Sequence, residues 1–249
     1  MAEPSYLTTE TGRRIAYHQS AGQGPGVVFL GGLRSDMEGT KALYLEEWAR
    51  AQGRAFLRFD YSGHGQSSGQ FEEGCIGDWA EDAMAALSLT EGPQILVGSS
   101  MGGWVSLLVA RQRPERVAGL VGIAAAPDFT KAFEAGLSDT DRATLSRAGR
   151  VAQPADYGEP DVFTKRLIED GARNLVLEAP LPLPFPARFL QGTADAAVPQ
   201  EVALRILAHA EGPDIRLTLV KDADHRFSDP ACLALIQAAI EDILPAKEA

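Results

Sequence analysis

Short apolar runs and amphipathic stretches alternate along most of this chain. Residues 26–30, Gly-Val-Val-Phe-Leu, form a continuous apolar run, the pattern of a strand covered on both faces. Residues 94–98 read as another buried strand, residues 54–59, 117–124, 187–191 and 214–220 as further strands, and residues 14–18 suggest an early strand. Between them lie stretches of helical period. In residues 41–51, Leu43, Leu45, Trp48 and Ala49 share a face. Residues 76–89, 103–111, 200–210 and 230–244 are also predicted helices. Strands alternating with helices predict the α/β class, with a mostly parallel sheet covered by helices on both faces.

The alternation breaks between Pro127 and Pro186. Residues 128–135, 138–147 and 161–173 read as helices, with Ser138 a plausible cap and Asp141 three residues on. Leu181-Pro-Leu-Pro-Phe-Pro186 excludes both helix and sheet interior and predicts an extended connector. The expected organisation is one core made of residues 1–126 and 187–249, with residues 127–186 inserted as a small helical cap.

Chemistry enters with Gly98-Ser99-Ser100-Met101-Gly102, placed between a predicted strand and a predicted helix. Gly-x-Ser-x-Gly in that context is the nucleophile elbow. The serine must stand on a tight turn, and side chains two positions away would strike the neighbouring backbone. Ser100 is central and is the expected nucleophile; Ser99 is the rival beside it. A serine hydroxyl needs a base. Of the four histidines, His18 reads as surface, His64 as part of a structural turn and His209 as exposed on a helix. His225 follows the last predicted strand and is the expected base. The acid belongs between serine and histidine in the chain. Asp195, after residues 187–191, is preferred; Asp128, one strand earlier, is the main rival, with Asp222 and Asp224 beside the histidine. Its task is to accept the second ring N–H and stabilise the imidazolium. The oxyanion is expected to meet the backbone N–H groups of Met101 and of Leu33, the latter in the loop Leu30-Gly31-Gly32-Leu33.

Composition narrows the partners. Lys and Arg number 23 against 34 Asp and Glu, a net charge of −11. That charge opposes nucleic acid and long-lived contact with anionic lipid. Cys75 and Cys232 are too few for a disulfide scaffold and suit a reducing compartment. No secretory signal and no membrane-spanning run is legible, so a cytoplasmic protein without stable membrane insertion is expected. There is no Walker loop, dinucleotide fingerprint or His-x-x-x-His, so no cofactor and no metal is expected.

Together these segments resemble the α/β-hydrolase superfamily over nearly the whole chain. Gly39-Thr-Lys-Ala-Leu43, Arg58-Phe-Asp-Tyr-Ser-Gly63 and Gly92-Pro-Gln-Ile-Leu-Val-Gly-Ser-Ser100 through Gly102-Gly-Trp104 resemble a narrower group. This is the mitochondrial α/β-hydrolase-domain thioesterases, which remove palmitoyl groups from protein cysteines and also hydrolyse acyl glucuronides. In the later half Asp195, Val198-Pro199 and Asp224-His225-Arg226 carry the likeness. The resemblance implies an α/β-hydrolase fold and a serine esterase or thioesterase with Ser100, Asp195 and His225 as its triad. Its substrate would be a small-molecule ester, an S-acyl compound or an S-acylated protein. No transit peptide is legible, which suggests a bacterial-type cytoplasmic relative. The insertion is only loosely similar, and insertions set substrate choice. Phe129, Phe133, Tyr157, Phe163 and Phe185 either line an acyl pocket or form the insertion's own core. Arg226 either meets an acidic substrate group, such as a glucuronide carboxylate, or is a solvated neighbour of the base. A carbon–carbon hydrolase, a perhydrolase and a non-catalytic binding protein of the same fold are the alternatives.

Overall fold

A computed structural model describes residues 3–153 and 161–244. In chain order the elements are β1 (Ser5–Thr8), β2 (Arg14–Ser20), β3 (Gln23–Leu30), α1 (Thr40–Ala51), β4 (Arg54–Phe59), α2 (Ile76–Leu87), β5 (Gln94–Ser99), α3 (Met101–Gln112) and β6 (Val117–Ile123). Then come α4 (Phe129–Gly136), α5 (Asp139–Ala148), β7 (Arg150–Gln153), β8 (Asp161–Thr164), α6 (Lys165–Arg173) and β9 (Leu181–Pro182). The chain closes with β10 (Ala187–Gly192), α7 (Gln200–His209), β11 (Ala210–Glu211), β12 (Ile215–Val220) and α8 (Pro230–Ile243).

The main sheet runs β1-β2-β4-β3-β5-β6-β10-β12. β1 pairs antiparallel with β2, and β2 antiparallel with β4; the remaining pairs are parallel. Parallel pairing needs helical crossovers, and these cover both faces. On one face α2 and α3 bury Trp79, Trp104, Leu107 and Leu108 against Val28, Leu57 and Leu96. On the other, α1 and α8 bury Leu45, Ala49, Ile236 and Ile240 against Val27, Phe29, Ile95 and Val97. Neighbouring strand residues divide between the two cores, as a period of two requires. This is the α/β-hydrolase fold.

Register decides where the functional ends lie. Leu30 pairs with Gly98, Ser99 with Ile123, Leu190 with Ile123, and Gly192 with Val220. The carboxyl ends of β3, β5, β6, β10 and β12 therefore reach one edge together. In open α/β sheets that edge is where ligands bind.

Between β6 and β10 the chain leaves the sheet. α4 and α6 pack closely, for a Cβ on Gly171 would overlap Thr130. Ser138 caps α5 by accepting from the Asp141 N–H at 3.1 Å. One expected helix is corrected here. Residues 161–164 form strand β8, paired antiparallel with β7, and only from Lys165 does the chain turn helical. Val162, Phe163 and Thr164 favour a strand, and Thr164 then caps α6 through the Leu167 N–H at 3.1 Å. The proline-rich connector is also more than a link. Leu181 and Pro182 pair in parallel with Ala210 and Glu211, at an edge where proline's missing N–H does no harm. No helix among the described residues is long and apolar enough to cross a membrane.

Candidate active site

Ser100 joins β5 to α3 with φ 54° and ψ −118°, a conformation L-residues avoid. Its surroundings hold it there. The Ser100 N–H donates to the Ile123 carbonyl at 2.9 Å, and its own carbonyl accepts from Gly103 at 2.9 Å and Ala126 at 3.1 Å. The flanking glycines have steric reasons. A Cβ on Gly98 would overlap the Gly102 carbonyl, and one on Gly102 would overlap the carbonyls of Leu30 and Gly31. The end of β3 and the start of α3 are thus in direct contact beneath the serine.

Helix α3 begins at Met101 rather than at Gly103, so the Met101 N–H belongs to the first turn, where amides lack helical partners. The loop after β3 flanks the serine. A Cβ on Gly32 would lie 3.4 Å from Ser100 Cβ. Leu33 follows, in a turn closed by the Ser35 N–H on the Gly32 carbonyl at 3.1 Å, with Arg34 at φ 57°.

The structure brings Ser100, His225 and Asp195 into one hydrogen-bonded line. His225 Nε2 lies 3.1 Å from Ser100 Oγ, and its Nδ1 lies 2.9 Å from Asp195 Oδ2. A carboxylate accepts only, so Nδ1 carries the proton and Nε2 is left to accept from the hydroxyl. The His225 side chain is 31% exposed, whereas that of Asp195 is inaccessible. Burial alone would raise the Asp195 carboxyl. The hydrogen bonds from His225, Val198 and Gln191 outweigh it and hold the carboxyl below the ordinary aspartate value.

Asp195 is fully engaged. Its Oδ1 accepts from Ala197 at 2.9 Å and Val198 at 2.7 Å, and Gln191 Nε2 donates to its Oδ2 at 2.9 Å. Gln191 is 1% exposed and also donates to the Val198 carbonyl at 3.0 Å. Sequence reasoning took Gln191 for an ordinary strand residue. An amide side chain at the end of the strand, four residues before the aspartate, was the available signal.

The rivals have other work. Asp128 receives the Val176 N–H at 2.9 Å and the Leu177 N–H at 3.0 Å, one on each oxygen. Asp224 Oδ1 accepts from the Phe227 N–H at 3.0 Å and so shapes the histidine loop. Asp222 adopts φ 62° and its N–H donates to Thr193. His64 is buried among Tyr61, Phe71 and Trp79, with Nδ1 3.2 Å from the Ser62 carbonyl. His18, expected at the surface, is half-buried and its Nε2 is inaccessible, because β2 lies inside the sheet between β1 and β4. His209 is half-buried at the end of α7, with Nδ1 3.0 Å from the Arg205 carbonyl.

A cleft of about 570 Å³ opens beside this line, with Phe129, Phe133, Phe163, Leu177, Val198 and Val202 among its walls. Ala126 and Ala197 also face it, one bonded to the Ser100 carbonyl and the other to Asp195. Phe133 and Phe163 stack at 3.8 Å, so they are at once cleft wall and part of the insertion's core. Phe185 is 6% exposed in the main core and does not face the cleft; Tyr157 lies outside the described residues.

Residues 26–164 match the Hydrolase_4 family, serine aminopeptidase S33. The mitochondrial palmitoyl-protein thioesterase ABHD10 of Bos taurus is 35% identical over 243 residues, 96% of this chain and 79% of that protein. Among solved structures, a putative hydrolase from Agrobacterium vitis S4 superposes with a TM-score of 0.94 at 40% identity, covering 98% of this chain and 99% of that one. Mouse α/β-hydrolase domain-containing protein 10 superposes with a TM-score of 0.90 at 35% identity, covering 97% and 98%.

Proposed function

The chain belongs to the Hydrolase_4 family of α/β-hydrolases, and from that premise we propose that it cleaves carboxylic esters and acyl thioesters through an acyl-enzyme on Ser100. The observation that carries this reading is the pair of hydrogen bonds from Ser100 Oγ through His225 to Asp195. As Oγ attacks the substrate carbonyl carbon, Nε2 of His225 takes its proton. Asp195 holds the ring and stabilises the imidazolium. The N–H groups of Met101 and Leu33 receive the oxyanion, each worth roughly 3–4 kcal/mol in the transition state. Collapse of the tetrahedral intermediate breaks the bond to the leaving group, which takes the proton from His225. Water then attacks the acyl-enzyme by the same steps in reverse.

Thioesters ask less of the leaving step, since a thiolate of pKa about 8.5 departs more easily than an alkoxide. One site therefore suits both S-acyl and activated O-acyl substrates. The apolar cleft supports an acyl group as the recognised part, and its size is ordinary for a small-molecule site. An S-acylated protein fits the reading through the exposed edge of His225, and the name of the ABHD10 relatives points the same way. An acyl glucuronide, with its carboxylate toward Arg226, is the narrower form of the proposal. We assign the enzyme to the cytoplasm. Cys75 and Cys232 are buried free thiols, which suits a reducing compartment.

The test is a fluorophosphonate probe with the adduct located by mass spectrometry, followed by p-nitrophenyl esters and acyl-thioesters of increasing chain length. Adduct on Ser100, none on Ser100→Ala, and a chain-length optimum support the proposal. A folded protein that takes no label, or one that hydrolyses aminoacyl amides in preference to esters, overturns it.

A further inference from the structure

Lys41 lies in the first turn of α1, where a cation opposes the helix dipole. Its Nζ donates to the Arg226 carbonyl at 2.6 Å and to Ser228 Oγ at 3.3 Å. Among the described residues it forms no ion pair. The groups facing it are Arg226 and Asp224 on the histidine loop and Asp36 across a small cavity. Burial, and then Arg226, push the ammonium down to about 8, against a smaller upward pull from Asp224. In the unfolded chain a lysine holds its proton to about 10.4. Between those values the unfolded chain binds more protons, so folding stability rises as pH climbs through the window. At neutral pH the charge is therefore a burden on stability.

The loop it reaches is itself strained. Asp222 at φ 62° and Phe227 at φ 49° both adopt left-handed backbone without being glycine. Such residues persist only where the surroundings over-determine them. Lys41 also lines the small cavity formed by Gly31, Gly32 and Ser99, so it stands between the loop after β3 and the histidine loop.

We propose that Lys41 is a positioning residue, whose charged amine pins the carbonyl next to His225 and so holds the base in register with Ser100 and the loop after β3. This rests on His225 being the base. The device is charge-dependent, because a hydrogen bond from an ammonium is about twice as strong as one from a neutral donor. Misplacement of a catalytic group by about 1 Å can cost about a hundredfold in rate, so a smaller displacement of the base lowers turnover measurably.

Lys41→Met and Lys41→Arg should be compared with the parent enzyme for kcat and KM on a p-nitrophenyl ester from pH 6 to 10, alongside melting temperature. Lys41→Met is expected to lower kcat roughly tenfold with little change in KM, while melting no lower than the parent. The parent's kcat should fall as pH rises through about 8. That fall should be absent from Lys41→Met and displaced upward in Lys41→Arg. A Met variant with parental kcat and pH profile overturns the proposal, as does one that loses melting temperature and activity together. His225→Gln separates the two readings. If it retains full activity, the assignment of the base is wrong. If it is inactive while Lys41→Met is indifferent, only the role of Lys41 is wrong.

Discussion

Strands β6 and β10 lie side by side and end at the same edge of the sheet, and each is followed within five residues by an aspartate. The two carboxylates meet different donors. Both oxygens of Asp128 are taken by consecutive backbone amides, Val176 and Leu177, of the segment after α6. Burial outweighs those bonds and raises its carboxyl. Asp195 satisfies one oxygen with its own loop and presents the other to Gln191 and His225. There the bonds outweigh burial and lower the carboxyl. A position at a strand end is therefore no role in itself. The donors that arrive decide it, and at Asp128 they arrive from the far end of the insertion.

Asn substitutions break this comparison most sharply. Asp195→Asn should lower kcat by about 10⁴-fold, because an amide facing Nδ1 favours the wrong tautomer. Steady-state assay on any good ester checks it; a loss below a hundredfold would remove Asp195 from the mechanism. Gln191→Leu tests whether the carboxylate's own support matters. It leaves Asp195 Oδ2 one donor short and should lower kcat roughly tenfold, about the worth of one hydrogen bond. Asp128→Asn should do the reverse of Asp195→Asn. It should reduce stability by about 1–3 kcal/mol, since one of two buried amides loses its acceptor, while Ser100 labelling and kcat stay near parental. Denaturant melts read together with turnover would detect any crossover.

The smallest expected effect lies in the acid limb. Asp195 has its folded value depressed, so its stabilisation is complete above the unfolded value near 3.9 and lost as pH falls through the folded one. Asp128 has its folded value raised. Between about 3.9 and that value the folded state holds the extra proton, so stability falls as pH rises. Removing each carboxylate should change the slope of stability against pH with opposite sign. Unfolding curves of the parent and both Asn variants between pH 3 and 6 measure it. Slopes of the same sign would mean that the two environments are not as different as their hydrogen bonds indicate.

Much of this was legible in the chain. β4 was expected at its observed bounds, and the other long strands differ by one to three residues, because short runs of apolar and β-branched residues bounded by turns mark strands. β1, β7 and β8 were missed. Residues 161–173 carry a helical period that continues into α6, and the partner of β8 lies across residues outside the description. Cleft and insertion core could not be told apart in advance, since Phe133 and Phe163 serve as both.

The sequence by itself determined the α/β alternation, the elbow and the residues proposed as nucleophile and base. Those rest on chain order and on short patterns, such as a turn that tolerates no Cβ at Gly98 because the Gly102 carbonyl lies against it. Only the tertiary structure decided which aspartate faces His225, that Gln191 supports it, and that Lys41 reaches across 185 positions to the carbonyl beside the base. Hydrogen bonds between residues so far apart depend on strand register and helix packing, and no local pattern in the chain records them.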